Sequence, residues 1–268
     1  MGDVIACANQ KGGVGKTTTV INLAAYLALA GRRVLVVDLD PQGNATSGLG
    51  FDRQAGASSI YPGLVEPALA RSLVQETQVD RLWLIPSGRD LAGAAVELVG
   101  LAQRERKLHA ALAPLRLDYD FIVLDCPPAV GLLTVNALTA ADAVLVPIQC
   151  EYYALEGLGQ LLATIDLVRD NLNPRLRLAG VLLTMFDART TLSADVAAEV
   201  RRHLDGSVFN TIVPRSVRLA EAPSYGRPIV RYSPESRGAH AYQALAQEVM
   251  DRQAERPTGV PLPAKVGP

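Results

Sequence analysis

The chain of 268 residues has little of several things: three cysteines, three histidines, one tryptophan, and 5% aromatic residues in all. Cys7, Cys126 and Cys150 form neither an even set nor a CxxC spacing. That argues against a disulfide framework or a structural zinc site and fits a reducing compartment. Net charge is almost absent too, at -1 from 26 basic and 27 acidic residues. The molecule as a whole is therefore not drawn to a polyanion, and any nucleic-acid site must be a local patch. No apolar run approaches a membrane span, and Met1 to Ala8 show no charged leader before a long apolar stretch. The expectation is a cytoplasmic protein without a membrane partner. What is abundant is apolar content, 49% of residues, enough to bury a large core in one α/β domain.

Short runs rich in Val, Ile and Leu predict buried parallel strands at Asp3 to Ala8, Arg33 to Asp38, Asp120 to Asp125 and Ala143 to Ile148. Leu82 to Pro86, Leu178 to Leu183 and Gly206 to Val213 add further candidates. Between them, helical spacing covers Lys16 to Ala30, with Gly31 as its stop signal, and Leu91 to Leu112, Leu155 to Asn171, Thr191 to Leu204 and Gly238 to Glu255. Alternating strands and helices imply a doubly wound, mainly parallel sheet covered on both faces, with ligand sites at the carboxyl ends of its strands. One domain over residues 1–255 is expected, and the four prolines in Arg256 to Pro268 suggest a disordered tail.

Cys7 to Thr18 reads CANQKGGVGKTT, a strand end, a glycine-rich turn and a helix start. It fits GxxxxGK[ST] only loosely, because Gln10 stands where the first glycine belongs and Lys11 leads the loop. Gly12, Gly13 and Gly15 let the backbone around Val14 approach an anion closely and adopt positive φ, so that successive N–H groups line one concavity at a helix amino terminus. Lys16 supplies charge for the β- and γ-phosphates, Thr17 a hydroxyl for Mg²⁺, and Thr18 a further phosphate hydrogen bond. Lys11 is surplus to this loop, and its best use is on a partner's nucleotide.

The stretch RRVLVVDLDPQGN ends an apolar strand in Asp38 and Asp40. Transfer of a phosphoryl group to water needs a residue that orients the nucleophile. Asp40 is the candidate, and a metal ligand candidate too, while Asp38 either serves Mg²⁺ from an outer shell or caps the following turn. FIVLDCPP places Asp125 at another strand end, where a carboxylate holds Mg²⁺. Cys126 reads as packing, with no partner placed to activate it.

Together KGGVGKTT, VDLDPQGNATSGLG and LDCPP resemble the ParA/Soj family of DNA-partitioning ATPases. QCEYYALEGL, LLTMFDART and VPRSVRLAEAPSYGRPI extend the resemblance over about residues 3 to 250. It implies ATP and Mg²⁺ as ligands, an ATP-dependent homodimer in which Lys11 crosses to the partner's phosphates, and catalysis by Lys11, Lys16 and Asp40. It also implies that Met185 and Pro214 flank the adenine, that Glu151 reaches the nucleotide across the dimer, and that a ParB/Spo0J-like centromere-binding protein stimulates hydrolysis. MinD-like positioning ATPases and biosynthetic ligases of the same fold are the alternatives.

From Asn171 to His240 stand ten arginines, no lysines and six acidic residues, so positive charge is segregated there. Forked guanidinium donors suit phosphate oxygens, and their spread points to non-specific double-stranded DNA on the nucleoid. Arg189 and Arg218 match basic positions that the resembling family uses on DNA, and Arg215 and Arg227 are near in sequence. The plainer reading is a solvated surface.

Overall fold

The computed structural model describes residues 1–52, 59–151, 154–204 and 206–255, without the side chains of residues 95 and 154–156. The Pro-rich segment 256–268, expected as a tail, lies outside the described residues. Strands β1 (Asp3–Cys7), β2 (Val34–Asp38), β3 (Gln75–Glu76), β4 (Leu82–Ile85), β5 (Phe121–Asp125), β6 (Ala143–Gln149), β7 (Arg177–Phe186) and β8 (Val208–Pro214) form one sheet. Their order is β3-β4-β2-β5-β1-β6-β7-β8, and every pairing is parallel except that of β3 with β4.

β1, β2 and β5 are buried at every position, which is why they read as unbroken apolar runs rather than as alternation. Their residues still alternate in which layer they meet. Ile5, Cys7, Val34, Val36, Phe121 and Val123 pack toward helix α1 (Lys16–Leu29) and the helix Arg237–Ala254. Val4, Ala6, Leu35, Val37, Ile122 and Leu124 pack toward Lys107–Leu112, Leu132–Ala140, Ala154–Asn171 and Thr191–His203. Each fully buried Leu or Val, such as Leu27 and Leu35 at 0% exposure, contributes roughly 1.5–3 kcal/mol of burial. The first layer also holds a buried polar link, Thr19 Oγ1 to Tyr242 Oη at 3.1 Å.

The doubly wound architecture is as expected, and so are seven of the strands to within a few residues. Leu91 to Leu112 is not one helix. The chain forms Asp90–Glu97, then single 3₁₀ turns at Leu98–Gly100 and Arg104–Arg106, before Lys107–Leu112. Leu101 is extended and Gln103 is left-handed at φ 51°, so the helical ladder cannot continue through them. β7 runs on to Phe186, beyond the expected Leu183. Parallel pairing brings the carboxyl ends to one edge: Cys7 and Asp38 each register against Asp125 on β5. Ligand sites of such sheets lie outside that edge.

Candidate functional site

The glycine-rich loop joins β1, at the centre of the sheet, to α1. Gly13 and Gly15 take the left-handed region at φ 77° and 89°, whereas Gly12 is not among the positive-φ glycines. Gly15 is the N-cap of α1 and no side chain caps the helix, so the first-turn amides are left to an external acceptor. The two lysines face different ways. Lys16 is 7% exposed and its Nζ donates to the Lys11 carbonyl at 3.1 Å, inside the loop. Lys11 is exposed, and its Nζ lies 3.5 Å from Glu151 Oε2. Asn9 anchors the loop's start: its Nδ2 donates to the Pro147 carbonyl at 2.7 Å, and its Oδ1 accepts from Lys11 N at 2.9 Å.

The three carboxylates differ in how they are satisfied. Both oxygens of Asp38 are taken, one by Asp40 N at 3.1 Å, the other by Thr46 N at 2.8 Å and Thr46 Oγ1 at 2.7 Å. Burial nevertheless raises its pKa to about 6, against the opposing pull of those bonds. Through these bonds Asp38 fixes the turn behind β2. Asp40 is 7% exposed; its Oδ1 accepts from Gln42 N at 3.0 Å and its carbonyl from Ser87 Oγ at 2.6 Å. Asp125 is fully buried, and among the described residues neither of its oxygens has a hydrogen-bond partner of acceptable geometry. Burial, then the charge of Asp38, holds its pKa well above the ordinary carboxylate value, with the nearby Thr17 hydroxyl and Lys16 pulling the other way.

A buried carboxylate with two unpaired oxygens is costly unless a cation completes it. Oxygen donors from Asp125 and Thr17 suit a hard divalent ion such as Mg²⁺, which takes few protein ligands and completes its shell with phosphate and water. Among the described residues no group of three or more His, Cys, Asp or Glu could hold a metal, so these residues would share the ion with a ligand. Cys7 and Cys126, both buried beside Asp125, have thiol pKa values pushed up by burial and are inert packing at neutral pH.

The loops after β6, β7 and β8 meet at the same edge. Met185 has φ 51°, a costly conformation for a side chain of its kind, about 1–3 kcal/mol. The next residue, Phe186, registers against Pro214, and its carbonyl accepts from Arg215 N at 2.9 Å. Met185 and Pro214 are thereby brought together. Glu151 sits among charges, with Arg215 Nη2 at 3.8 Å, Lys11 on its other oxygen, and a hydrogen bond from Gln149. The arginines are less free than the sequence suggests. Arg189 makes a forked pair with Asp187 at 2.9 and 2.7 Å, and Arg218 pairs with Glu221 at 3.0 Å. Arg227 is exposed and forms no ion pair among the described residues.

A cavity of about 360 Å³ opens beside Pro41, Gln42, Gly43, Ser87, Gly88, Arg89 and Ala92. Its lining starts at Pro41, next to Asp40 in the chain, and includes none of residues 11–18. Three contributors were not singled out in the sequence. Thr46 and Ser87 hold Asp38 and Asp40, and Thr184 donates to the Val14 carbonyl at 2.9 Å.

Residues 2–178 match the AAA domain family AAA_31. The sporulation initiation inhibitor protein Soj of Bacillus subtilis is 54% identical over 249 residues, covering 93% of this chain and 98% of Soj. The chromosome-partitioning ATPase Soj of Thermus thermophilus is 55% identical over 252 residues, covering 94% of this chain and 96% of that protein. Among solved structures, a cobyrinic acid a,c-diamide synthase from Mycobacterium smegmatis, bound to an ATP analogue and magnesium, superposes with TM-score 0.84. It is 40% identical, over 95% of this chain and 97% of that one. With its nucleotide loop intact and more than half its residues shared with these relatives over nearly full length, the chain belongs to the Soj/ParA family of chromosome-partitioning ATPases.

Proposed function

We propose that the chain is an ATP-driven DNA-segregation switch. ATP lies on the amides of Gly12, Gly13, Val14 and Gly15, with Lys16 balancing the β- and γ-phosphate charge and Thr18 adding a hydrogen bond. Thr17, Asp125 and Asp40 are the residues that would hold Mg²⁺, which when bound neutralises charge on the transferring phosphoryl group. Asp40 orients the attacking water, and its main chain is held still for that task by Ser87 and Asp38. Met185 and Pro214 flank the adenine.

Lys11 carries the reading. The loop already has one lysine turned inward, and Lys11 stands at its mouth with a side chain 43% exposed. Its pair with Glu151 is a surface contact of about 0–1 kcal/mol, readily exchanged for the phosphates of a second copy. ATP thus assembles a homodimer, with Glu151 reaching the nucleotide across it. Pairing doubles the number of arginines that can meet DNA, and affinity rises steeply with phosphate contacts, so nucleotide gates non-specific DNA binding. A ParB/Spo0J-like partner then stimulates hydrolysis and release from the nucleoid. Among the described residues no helix is long and apolar enough to cross a membrane.

Lys16→Ala should abolish both ATP binding and ATP-dependent DNA binding; DNA binding that survives with its ATP dependence intact overturns the scheme. A ligase reading draws on the name of the 40% identical structure. It requires a small-molecule substrate that accelerates ATP turnover without DNA, whereas the proposed switch requires DNA and a protein activator. ATP turnover measured with each addition separates them.

A further inference from the structure

Thr184 is 2% exposed at the carboxyl end of β7 and touches three parts of the site. Its hydroxyl has one proton and two acceptors, the Val14 carbonyl at 2.9 Å and the Ile148 carbonyl at 3.0 Å. Its own carbonyl accepts from Cys150 N at 3.2 Å, one residue before Glu151. A Cβ placed on Gly15 would lie 3.9 Å from both Cβ and Cγ2 of Thr184, so this side chain is the loop's neighbour on that side. The following residue is Met185, with its left-handed backbone.

The Val14 carbonyl and the Gly15 N–H belong to one peptide unit, and in a trans peptide they point in opposite directions. Holding that carbonyl toward β7 turns the Gly15 N–H away from β7 and fixes a peptide that the glycine, at φ 89°, would otherwise leave free to rotate. We propose that Thr184 is a positioning residue that locks the Val14–Gly15 peptide in its phosphate-accepting orientation and so couples the phosphate loop to the β7 edge that carries Met185. The inference rests on the reading of this loop as the ATP site. It assigns Thr184 no contact with the nucleotide.

The test compares full-length wild type with Thr184→Val, which keeps the shape and removes the donor, and with Thr184→Ser, which keeps the donor. Binding of ATP with Mg²⁺ is measured by calorimetry well below the melting temperature, alongside steady-state kcat and KM. Losing one buried hydrogen bond that serves the bound state corresponds to roughly a tenfold weaker affinity. We expect that loss for Thr184→Val, seen as a raised KM with kcat within about twofold, and recovery to within about twofold for Thr184→Ser. If Thr184→Val does not fold, Thr184→Ala takes its place against the same Ser control. Wild-type affinity in the donor-less variant, or a Ser variant as weak as it, overturns the inference. Wild type that fails to bind ATP instead overturns the assignment of the loop.

Discussion

Asp125→Asn should make the nucleotide-free protein more stable at neutral pH while removing its response to magnesium. Among the described residues neither oxygen of this buried carboxylate has a hydrogen bond of acceptable geometry, and a buried unsatisfied polar group costs about 1–3 kcal/mol, more when charged. A neutral amide of the same shape never has to ionise, whereas the acid gives up on folding the ionisation it prefers when unfolded, so a gain of about 1–3 kcal/mol is expected at pH 7, or roughly 2–12 °C in Tm. The pH dependence fixes the cause. The folded-state pKa of Asp125 is raised above its ordinary value of 3.8, so the folded state prefers the protonated acid. The wild type is then relatively best off below that value and loses stability as pH rises through the raised folded pKa. The advantage of the Asn variant should therefore grow as pH rises from 4 to 7 and vanish toward pH 4. Thermal unfolding of both proteins at the two pH values, with and without Mg²⁺ and ATP, measures this. At 100 times the dissociation constant, ligand adds about 2.7 kcal/mol to the wild type, and the magnesium-dependent part should be missing from the variant. An Asn variant no more stable than wild type at pH 7, or equally advantaged at both pH values, refutes the argument.

Three further outcomes follow from the same geometry. Thr46→Val removes the hydroxyl that donates to Asp38 and accepts from Ser87 N at 2.9 Å, and should cost about 1–3 kcal/mol in urea unfolding. That cost should shrink below about pH 6, where Asp38 is protonated in the folded protein. Asp187→Asn frees Arg189, whose two bonds hold the Asp187 carboxyl well below the usual range, and should tighten ATP-dependent DNA binding and steepen its salt dependence by about 0.9 per added phosphate contact. Arg227→Ala, at an exposed arginine without an ion pair among the described residues, should weaken binding to DNA of any sequence and flatten the same salt plot.

Much of the sheet was legible because its strands are buried on both sides and therefore spell themselves out as apolar runs, Val34 to Asp38 and Phe121 to Asp125 above all. β3 was not, since Gln75 and Glu76 carry neither length nor alternation. The helix Leu132–Ala140 escaped for the opposite reason: almost all of it is buried, so no polar stripe marks its period. The phosphate loop was visible as a pattern of residue types, and the surplus of Lys11 over Lys16 with it; what coordinates add is that Lys16 is buried against the Lys11 carbonyl while Lys11 is exposed. For Asp38 the sequence left an outer-shell role and a turn cap both open, because only the turn Asn44–Gly48, folded back on the strand end, gives it its partners. Thr184 reaches Val14 across 170 positions of chain, a contact that no local spacing announces. The pairing of Arg189 with Asp187 and of Arg218 with Glu221, two and three residues apart, was legible in principle and tempers the count of free cations.

The account turns on ATP joining two copies through Lys11. Light scattering on wild type and Lys11→Ala, each with Mg²⁺ and either ADP or a slowly hydrolysed ATP analogue, tests it directly. Wild type should double in mass with the analogue and stay single with ADP, while Lys11→Ala binds the analogue yet remains single. A Lys11→Ala protein that dimerises with the analogue as wild type does would contradict the account.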